Sequence, residues 1–393
     1  MQRMHAVAET DPITPPADLE PIPLTRPSTD ERELAAVAEV FQSGWLAGQG
    51  PRSTTLEDGF TKLSGRAHAI ALNNCTAALH LALAALGVGP GDEVLVADYS
   101  FPATGHAVLY CGATPVFVDV LPDTGTIDPD LAEGLITSRT RGILAVDALG
   151  IPADWEPLED IAARHGLFLV EDAACATGGV YRGRPCGSFG DIGVFSLHAR
   201  KGITSGEGGV LVSDDAEIAR RVRAEACFGM ESAFARQSAT GLVVPEFTSL
   251  GYNYKLSDVL AAVATVQLGK LGEFSRRRRE IAARYHDLLS DLPGITPPVV
   301  PADRIPTWQT YAVQVAEPLD RDATAVALRA AGIGCNIGTY AMHQQQVYAS
   351  GAECPESDRL FRQHLALPMY TDLTRGQQDR VVETLRKIVS QMR

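Results

Sequence analysis

One stretch, residues 167–213, constrains the fold of this chain more than any other. It begins with an apolar run, Leu167–Val170, which ends in the acidic pair Glu171 and Asp172. This is the pattern of a buried strand that carries a carboxylate at its carboxyl end. In open α/β sheets, ligands bind beside the carboxyl ends of the strands. The stretch therefore predicts a sheet whose edge holds a site with at least one acid.

A lysine follows the second apolar run of the same stretch. Ile192–Leu197 predicts a strand, and Lys201 lies in a glycine-rich turn before a third strand, Val210–Val212. A lysine in a largely apolar site loses basicity because burial disfavours the ammonium form, and a neutral amine attacks an aldehyde to form a Schiff base. Pyridoxal phosphate is the common partner of such a lysine. It also needs a carboxylate against its ring nitrogen, and Asp172 is the candidate.

Other loops that bind phosphate do not fit this turn. Gly202–Gly209 contains no Gly-Lys-Ser/Thr, so it is not a nucleotide-phosphate loop. Gly206–Gly209 also lacks the last glycine of the dinucleotide pattern G-x-G-x-x-G. The remaining alternative is a surface lysine in a flexible hairpin, since lysines usually lie in solvent.

The stretch resembles the Schiff-base lysine region of the sugar aminotransferases called the DegT/DnrJ/StrS family. That region reads roughly E-D-A-A-Q/H-A-x-G and then G-D-I-G-x-F-S-F-x-x-x-K-N-I-T-T-G-E-G-G. The matching positions are Glu171-Asp172-Ala173-Ala174, Gly190-Asp191-Ile192-Gly193, Phe195-Ser196, Lys201, Ile203-Thr204 and Gly206-Glu207-Gly208-Gly209. The resemblance implies that Lys201 forms the Schiff base, that Asp172 pairs with the pyridine nitrogen, and that Ser196 donates to the cofactor phosphate.

The chain divides into three predicted parts. Residues 1–28 are rich in proline and without periodicity, and they predict an arm or a disordered leader. Residues 29–265 form the predicted large domain, in which strands alternate with helices, the pattern of a mostly parallel sheet covered by helices. Residues 266–393 form the predicted small C-terminal domain. By resemblance the fold is that of a fold type I aminotransferase, with a seven-stranded, mostly parallel sheet and a smaller C-terminal α/β domain.

A second motif predicts a site for the cofactor phosphate. The strand Ala69–Leu72 turns through Asn74, Cys75 and Thr76 into an apolar helix, Ala77–Leu86. The start of a helix presents free N–H groups and the positive end of the helix dipole to an anion. An ordinary helix cap is the alternative. The family pattern S/N-G-T-x-A-L implies that Cys75 and Thr76 contact the cofactor, although Cys75 replaces the family's glycine.

The resemblance implies three further cofactor contacts. Phe101 would stack on the pyridine ring, with a plain core position as the alternative. Cys175 stands where the family has Gln or His on the ring-hydroxyl side, and it would otherwise be an ordinary packed cysteine. Asn253 would reach the phosphate of a neighbouring subunit, which implies a homodimer with shared active sites. Lys255 replaces the family's arginine, whose planar fork of donors it lacks.

Two loops resemble the substrate side of the family's active site. The glycine-punctuated loop 43–51 contains Trp45, and the segment 338–343 contains Tyr340 and His343. The resemblance implies that these three side chains contact substrate. A structural role is the alternative for His343.

Composition excludes several other classes of protein. The formal net charge of −14 argues against a nucleic-acid partner, because phosphate backbones are bound by excess Lys and Arg. No apolar run is as long as a membrane span, and no signal peptide is recognisable, so we expect a cytoplasmic protein without a membrane partner. The seven cysteines are scattered without a C-x-x-C pair, and we expect no bound metal.

These observations predict an aminotransferase that uses pyridoxal phosphate. By family analogy it moves an amino group from an amino acid, L-glutamate in the first instance, to a keto sugar that carries a nucleotide. Amino-sugar or natural-product biosynthesis, including that of antibiotics, is the expected context. A cyclitol (inosose) aminotransferase and a sugar dehydratase are alternatives on the same scaffold, but related dehydratases carry histidine in place of Lys201. A cofactor-binding regulatory protein without turnover is a more distant alternative.

Overall fold

The structure is a computed structural model that describes residues 20–230, 244–348 and 350–392. Its α-helices are α1 (Glu31–Ser43), α2 (Pro51–Ser64), α3 (Cys75–Ala85), α4 (Ala103–Tyr110), α5 (Pro129–Gly134), α6 (Trp155–His165), α7 (Ala216–Glu225), α8 (Asp258–Leu289), α9 (Arg321–Ala330), α10 (Pro355–Gln363) and α11 (Arg375–Met392). Its strands are β1 (His68–Leu72), β2 (Glu93–Ala97), β3 (Tyr99–Ser100), β4 (Thr114–Val118), β5 (Thr140–Val146), β6 (Phe168–Asp172), β7 (Val180–Tyr181), β8 (Arg184–Pro185), β9 (Ile192–Ser196), β10 (Gly209–Ser213), β11 (Ile295–Thr296), β12 (Arg304–Ile305), β13 (Tyr311–Val315), β14 (Asn336–Ile337), β15 (Tyr340–Ala341) and β16 (His364–Leu367).

The large domain is built on a seven-stranded sheet in the order β1-β10-β9-β6-β5-β2-β4. Neighbouring strands are parallel except at β10, which runs antiparallel to both β1 and β9. The other six strands of this sheet therefore all end at the same edge, and β10 begins there. The prediction of a mostly parallel seven-stranded sheet in a fold type I arrangement is confirmed.

Helices cover both faces of this sheet, and the strands alternate between them. Val94 and Val96 of β2 pack into the core beneath α3, α4 and α7, whereas Leu95 and Ala97 pack against α6 on the opposite face. The helices α2 and α8 extend that second layer over β1, β9 and β10. Because successive residues of a strand point to opposite faces, Glu171 and Asp172 lie on different sides of β6. Asp172 lies on the face of α3.

Helix α8 is a single helix of 32 residues. The predicted domain boundary after residue 265 falls inside α8. The division into 29–265 and 266–393 stays a prediction. One arginine of the helix is buried: Arg278 is 5% exposed and donates to the carbonyl oxygen of Trp308 over 3.0 Å. A run of basic residues such as 276–279 is usually a solvated face, and this one is not solvated at Arg278.

The C-terminal part contains a smaller antiparallel sheet in the order β11-β13-β16-β14. Its core includes side chains of α8, α9 and α11. Ile22, which is 1% exposed, belongs to this core, and its N–H donates to the carbonyl oxygen of Gly332 over 2.9 Å. The predicted arm 1–28 is thus packed from residue 20 onward, and residues 1–19 lie outside the described ranges.

Within the three described ranges, no helix combines the length and the hydropathy that crossing a bilayer requires.

Candidate active site

Lys201 lies at the carboxyl edge of the large sheet, in the turn between β9 and β10. The turn is held by backbone hydrogen bonds: Leu197 donates to the carbonyl oxygen of Gly208 over 2.8 Å, and Lys201 donates to that of His198 over 2.9 Å. Gly206 has φ of +90°, a backbone angle that favours glycine. This scaffold brings the Lys201 Nζ to 3.0 Å from the Cys175 Sγ, which follows β6.

Asp172 ends β6 beside this lysine. Its Oδ2 accepts from the Thr104 hydroxyl over 3.0 Å, and its Oδ1 accepts from the Ala174 N–H over 3.1 Å. The Ser100 and Thr104 hydroxyls are 2.9 Å apart. Burial raises the pKa of the Asp172 carboxyl, although these donors and Lys201 oppose the shift. A cation against this carboxylate would offset its desolvation. We did not identify Ser100 or Thr104 as functional from the sequence, where only their place after a strand marks them.

The pKa of Lys201 differs in direction from the sequence-based expectation. Burial does act to lower it, but Cys175, Cys75 and Asp172 together raise it, and the net shift is upward. The expectation of lowered basicity is therefore wrong for the lysine in these surroundings. The apolar strands around the turn predict burial alone, whereas the fold brings a carboxylate and two thiols close to the amine.

The start of α3 faces the same edge of the sheet. The Asn74 Oδ1 caps the helix by accepting from the Ala77 N–H over 2.7 Å, which leaves the first N–H groups, those of Cys75 and Thr76, without an acceptor inside the helix. A Cβ on Gly209 would lie 2.6 Å from the Cys75 backbone nitrogen, so β10 and the helix start are in close contact. Ser196 pairs with Gly209 across the two strands. The structure therefore brings Cys75, Thr76 and Ser196 to one end of the site.

Cys75 replaces a glycine of the family pattern without backbone strain. It is the first residue of α3, and it is absent from the described non-glycine residues that have positive φ. Its thiol is half-buried, and burial together with Asp172 raises its pKa well above the ordinary value.

Phe101 and Tyr340 meet above this edge. Strand β3 pairs with β15, so the loop after β2 lies against the C-terminal part of the chain. The rings of Phe101 and Tyr340 are 6.1 Å apart in an edge-to-face arrangement. Phe101 is 63% exposed, which excludes the alternative of a plain core residue. Its exposed ring fits the predicted stacking role.

The loop 43–51 packs on the segment that precedes α8. Gly48 pairs with Ser257, and a Cβ on Gly50 would lie 2.2 Å from the Trp45 ring. Among the described residues, the buried Trp45 Nε1 has no hydrogen-bond partner. The segment beneath the loop contains Asn253, which is exposed, with its Oδ1 2.8 Å from the Lys255 Nζ. Whether Trp45 contacts substrate stays a prediction.

His343 is held between two carboxylates. Its Nδ1 lies 2.7 Å from the Asp98 Oδ2, and its Nε2 lies 3.4 Å from the Asp358 Oδ1. The Asp98 carboxylate also accepts from the His343 backbone N–H over 2.7 Å. Both ring nitrogens thus face groups of the protein. This arrangement favours the structural role that the sequence left open and gives no support to substrate contact.

The chemistry of these groups fits pyridoxal phosphate. An amine for the aldehyde, a buried carboxylate for the ring nitrogen, an exposed aromatic ring and a helix start for the phosphate lie along one sheet edge. The residues that would hold the cofactor are Cys75, Thr76, Phe101, Asp172, Cys175, Ser196 and Lys201. The cofactor would supply electron withdrawal from the carbon that loses or gains the amino group.

Comparisons with known proteins agree with this chemistry. The spore coat polysaccharide biosynthesis protein SpsC of Bacillus subtilis (strain 168) is 36% identical over 378 residues, covering 94% of this chain and 97% of SpsC. Spr1654 of Streptococcus pneumoniae, described as a sugar aminotransferase, is 28% identical and has been solved in pyridoxamine phosphate and pyridoxal phosphate forms. Its pyridoxamine phosphate form has a TM-score of 0.90 over 95% of this chain and all of Spr1654. DesI, solved in the presence of its TDP-sugar product, is 33% identical with a TM-score of 0.87 over 96% of this chain and 95% of DesI.

A family model covers the same span as these relatives. It matches residues 27–386, which include every residue of the site described above. Pyridoxal phosphate is the cofactor of this family. The chain therefore belongs to the DegT/DnrJ/EryC1/StrS aminotransferase family and is a sugar aminotransferase that depends on pyridoxal phosphate.

Proposed function

We propose that the protein transfers an amino group from L-glutamate to a nucleotide-linked keto sugar, in amino-sugar or natural-product biosynthesis. The observation that carries the proposal is the placement of the Lys201 amine beside Asp172 and the start of α3. The TDP-sugar product of DesI supports a nucleotide-linked substrate. SpsC, which serves polysaccharide biosynthesis, supports a role in making sugars for assembly into larger products.

Lys201 and Asp172 carry the chemistry in this proposal. Lys201 would hold the cofactor through its aldehyde, and its Nζ, when free, would move a proton to and from the α-carbon of the amino donor. Asp172 would keep the ring nitrogen protonated, because a cationic partner stabilises a buried carboxylate. Phe101 would orient the ring by stacking, and Tyr340 supports Phe101 from the side.

The other end of the site binds phosphate. The N–H groups of Cys75 and Thr76 and the hydroxyls of Thr76 and Ser196 are donors close to the positive end of α3. No Lys or Arg side chain is needed to hold the phosphate there, because helix N–H groups suffice for anion binding.

A homodimer with shared active sites is part of the proposal. Asn253 is exposed in the single chain, and it follows the segment 250–252, in which Leu250 is 81% exposed. Burial of this surface by a second copy would place Asn253 at the partner's phosphate. Asn253→Ala should then weaken cofactor retention without changing the mass of the assembly, as measured by equilibrium dialysis and light scattering.

The expected location is the cytoplasm. All seven cysteines are free thiols, the form that a reducing compartment maintains. The seven include Cys175 at the centre of the site, where a disulfide would remove the thiol from Lys201.

Three alternatives differ from the main proposal in substrate, in the residue at position 201 or in turnover. A cyclitol aminotransferase would use the same residues and accept inosose in place of a keto sugar. A dehydratase would need a group other than Lys201 at this position, since related dehydratases carry histidine. A regulatory protein would bind the cofactor without turnover.

The test is a two-step conversion followed by visible absorbance. The protein is loaded with pyridoxal phosphate and treated with L-glutamate, which should convert the bound cofactor to its amine form. TDP-linked 3-keto sugar, TDP-linked 4-keto sugar and inosose are then added separately. The substrate that restores the original spectrum is the acceptor, and restoration by inosose alone would replace the sugar proposal with the cyclitol alternative.

Two lysine variants control this experiment. Lys201→Ala should show no borohydride-fixed cofactor and no conversion. Lys62→Ala changes a lysine in the outer groove between α2 and α8 and should behave as the native protein. Failure of the native protein to convert with any amino donor would favour the regulatory alternative.

A further inference from the structure

Cys175 and Lys201 form a side-chain pair whose chemistry is not limited to transamination. The Cys175 Sγ lies 3.0 Å from the Lys201 Nζ. In the described part of the chain, this contact is the one hydrogen bond found for either of these two side chains. Both residues are partly exposed.

The backbone on both sides of the pair is held in place by one segment. The Thr307 hydroxyl donates to the carbonyl oxygen of Cys175 over 2.6 Å, and the Gln309 amide donates to that of Arg200 over 2.9 Å. Cys175 and Arg200, the residue before Lys201, are therefore tied to one segment, 307–309. The thiol and the amine remain neighbours because their backbones are fixed, and not because of their own hydrogen bond alone.

We propose that Cys175 and Lys201 are a covalent modification site, at which a hydroperoxide converts the thiol and the amine into a reversible sulfur–nitrogen bond. In the first step the Cys175 sulfur attacks the peroxide, an S–O bond forms and the O–O bond breaks. Sulfur loses two electrons, and the hydroperoxide is reduced to water or an alcohol. In the second step the neutral Lys201 amine attacks this sulfur, the S–N bond forms, and hydroxide leaves as water with the proton from nitrogen.

The second step needs the neutral amine, since that form attacks sulfur. Burial acts to lower the pKa of Lys201, whereas Cys175, Cys75 and Asp172 raise it, and the net shift is upward. The contact of 3.0 Å between the Cys175 Sγ and the Lys201 Nζ offsets the smaller share of neutral amine, because groups already held together react faster than groups that must meet.

The other thiols lack this arrangement. Cys186, Cys227, Cys335 and Cys354 are buried, and the half-buried Cys111 contacts the carbonyl oxygen of His80. Cys75 is half-buried and belongs to the electrostatic surroundings of Lys201, but it makes no hydrogen bond to this lysine within the described residues. The proposed bond is thus specific to Cys175.

The bond would block the amine that holds the cofactor, and this consequence rests on the proposed function. Cofactor joined to Lys201 would in turn protect the pair, because its amine is then occupied. Thiols such as dithiothreitol attack the sulfur and release the amine, so the modification is reversible.

The test uses the full chain with the cofactor removed. It is treated with hydrogen peroxide, digested without reductant and analysed by mass spectrometry. The expected product is a linked pair of peptides that contain Cys175 and Lys201 and that weigh about 2 Da less than the reduced pair. Dithiothreitol should return the separate peptides. Protein whose cofactor has been fixed on Lys201 with borohydride should give no linked pair.

Two cysteine variants serve as controls. Cys175→Ser should abolish the linked pair, whereas Cys111→Ser, which alters a thiol without a lysine neighbour, should retain it. If Cys175 instead accumulates as sulfinic acid while Lys201 remains free for acylation, the proposal is overturned. The peptide masses do not depend on turnover, so a failed conversion with amino donors would count against the proposed function and leave this inference standing.

Discussion

The two faces of β6 carry neighbouring acids in opposite surroundings. Asp172 faces the site, with hydroxyl and N–H donors on its oxygens and Lys201 close by. Glu171 faces the helix-covered side, where it, Asp147 and Cys186 each place one ligand-type atom within 4.8 Å of the others. Glu171 and Asp147 are both 0% exposed.

The difference lies in what can neutralise each acid. Burial raises the pKa of both Asp172 and Glu171, but on the site face the charge of Lys201 opposes the rise for Asp172. On the other face, the charge of Asp147 raises the pKa of Glu171 further. The Glu171 oxygens accept the N–H groups of Gly187 over 2.7 Å and Phe189 over 3.0 Å, and the Asp147 Oδ2 has no partner among the described residues.

The largest effect is expected from removing the acid on the site face. Asp172→Ala should lower the transamination rate on the order of 10³-fold, because the ring nitrogen loses the anion that keeps it protonated. Thermal stability should change little or rise, since a buried carboxylate is lost. Single-turnover absorbance and a melting curve measure the two quantities. A rate within tenfold of the native value would remove Asp172 from the mechanism.

Substitution of Glu171, the neighbouring acid on the other face of β6, should change stability instead of rate. In Glu171→Gln the amide nitrogen meets a backbone N–H donor, either that of Gly187 or that of Phe189, and one of these N–H groups loses its acceptor. We expect a loss of about 1–3 kcal/mol in the free energy of unfolding. The rate per folded molecule should stay near the native value. Urea titration with activity measurements distinguishes this result from a catalytic role of Glu171.

Asp147→Asn should have the opposite sign in stability. Asparagine keeps an oxygen for the Ala153 N–H and the Trp155 Nε1–H, and it offers an N–H in place of the unpartnered Oδ2. We expect a gain of about 1–2 kcal/mol at neutral pH, because the charge that acts against Glu171 is removed while both hydrogen bonds to Oδ1 are kept. A destabilised Asp147→Asn protein would contradict this account of the pair.

The pH dependence of this gain follows from the pKa of Asp147, which burial raises. Below about pH 4, the ordinary range for Asp, the carboxyl is protonated in both folded and unfolded chains and costs nothing. As the pH rises, the unfolded chain ionises first, so the native protein loses stability towards neutrality. The variant lacks this titration. Its advantage in urea midpoint should therefore grow from pH 4 to pH 7.

The smallest effect is expected from Thr104, which donates a hydrogen bond to Asp172. Thr104→Val removes the hydroxyl that donates to the Asp172 Oδ2 and keeps the shape of the side chain. We expect a roughly fivefold slower rate, which corresponds to ~1 kcal/mol for one hydrogen bond. The pH profile of the rate should shift, which a merely structural role would not cause. Ser100→Ala is the control, since Ser100 contacts Thr104 and not Asp172.

Much of the fold and the site was predictable from local patterns. The apolar strands, the Glu171-Asp172 pair and Lys201 in its glycine-rich turn are contiguous signals, and the structure places them at one sheet edge. Helix ends also followed local chemistry: Asp30 caps α1 and Asn74 caps α3. Such patterns persist because hydrogen bonds to a helix start and alternation along a strand depend on neighbours in sequence.

The sequence by itself determined which residue types stand at strand ends and loops, and hence the chemistry that the site performs. Only the tertiary structure decided which of them meet. Three strands, β7, β8 and β9, lie between Cys175 and Lys201 in the chain. Thr104 reaches Asp172 from α4, and Asp147, the residue after β5, lies close to Glu171. Burial and pairwise distance set the pKa of Lys201, and both arise when distant segments pack, so local sequence could not reveal the upward shift.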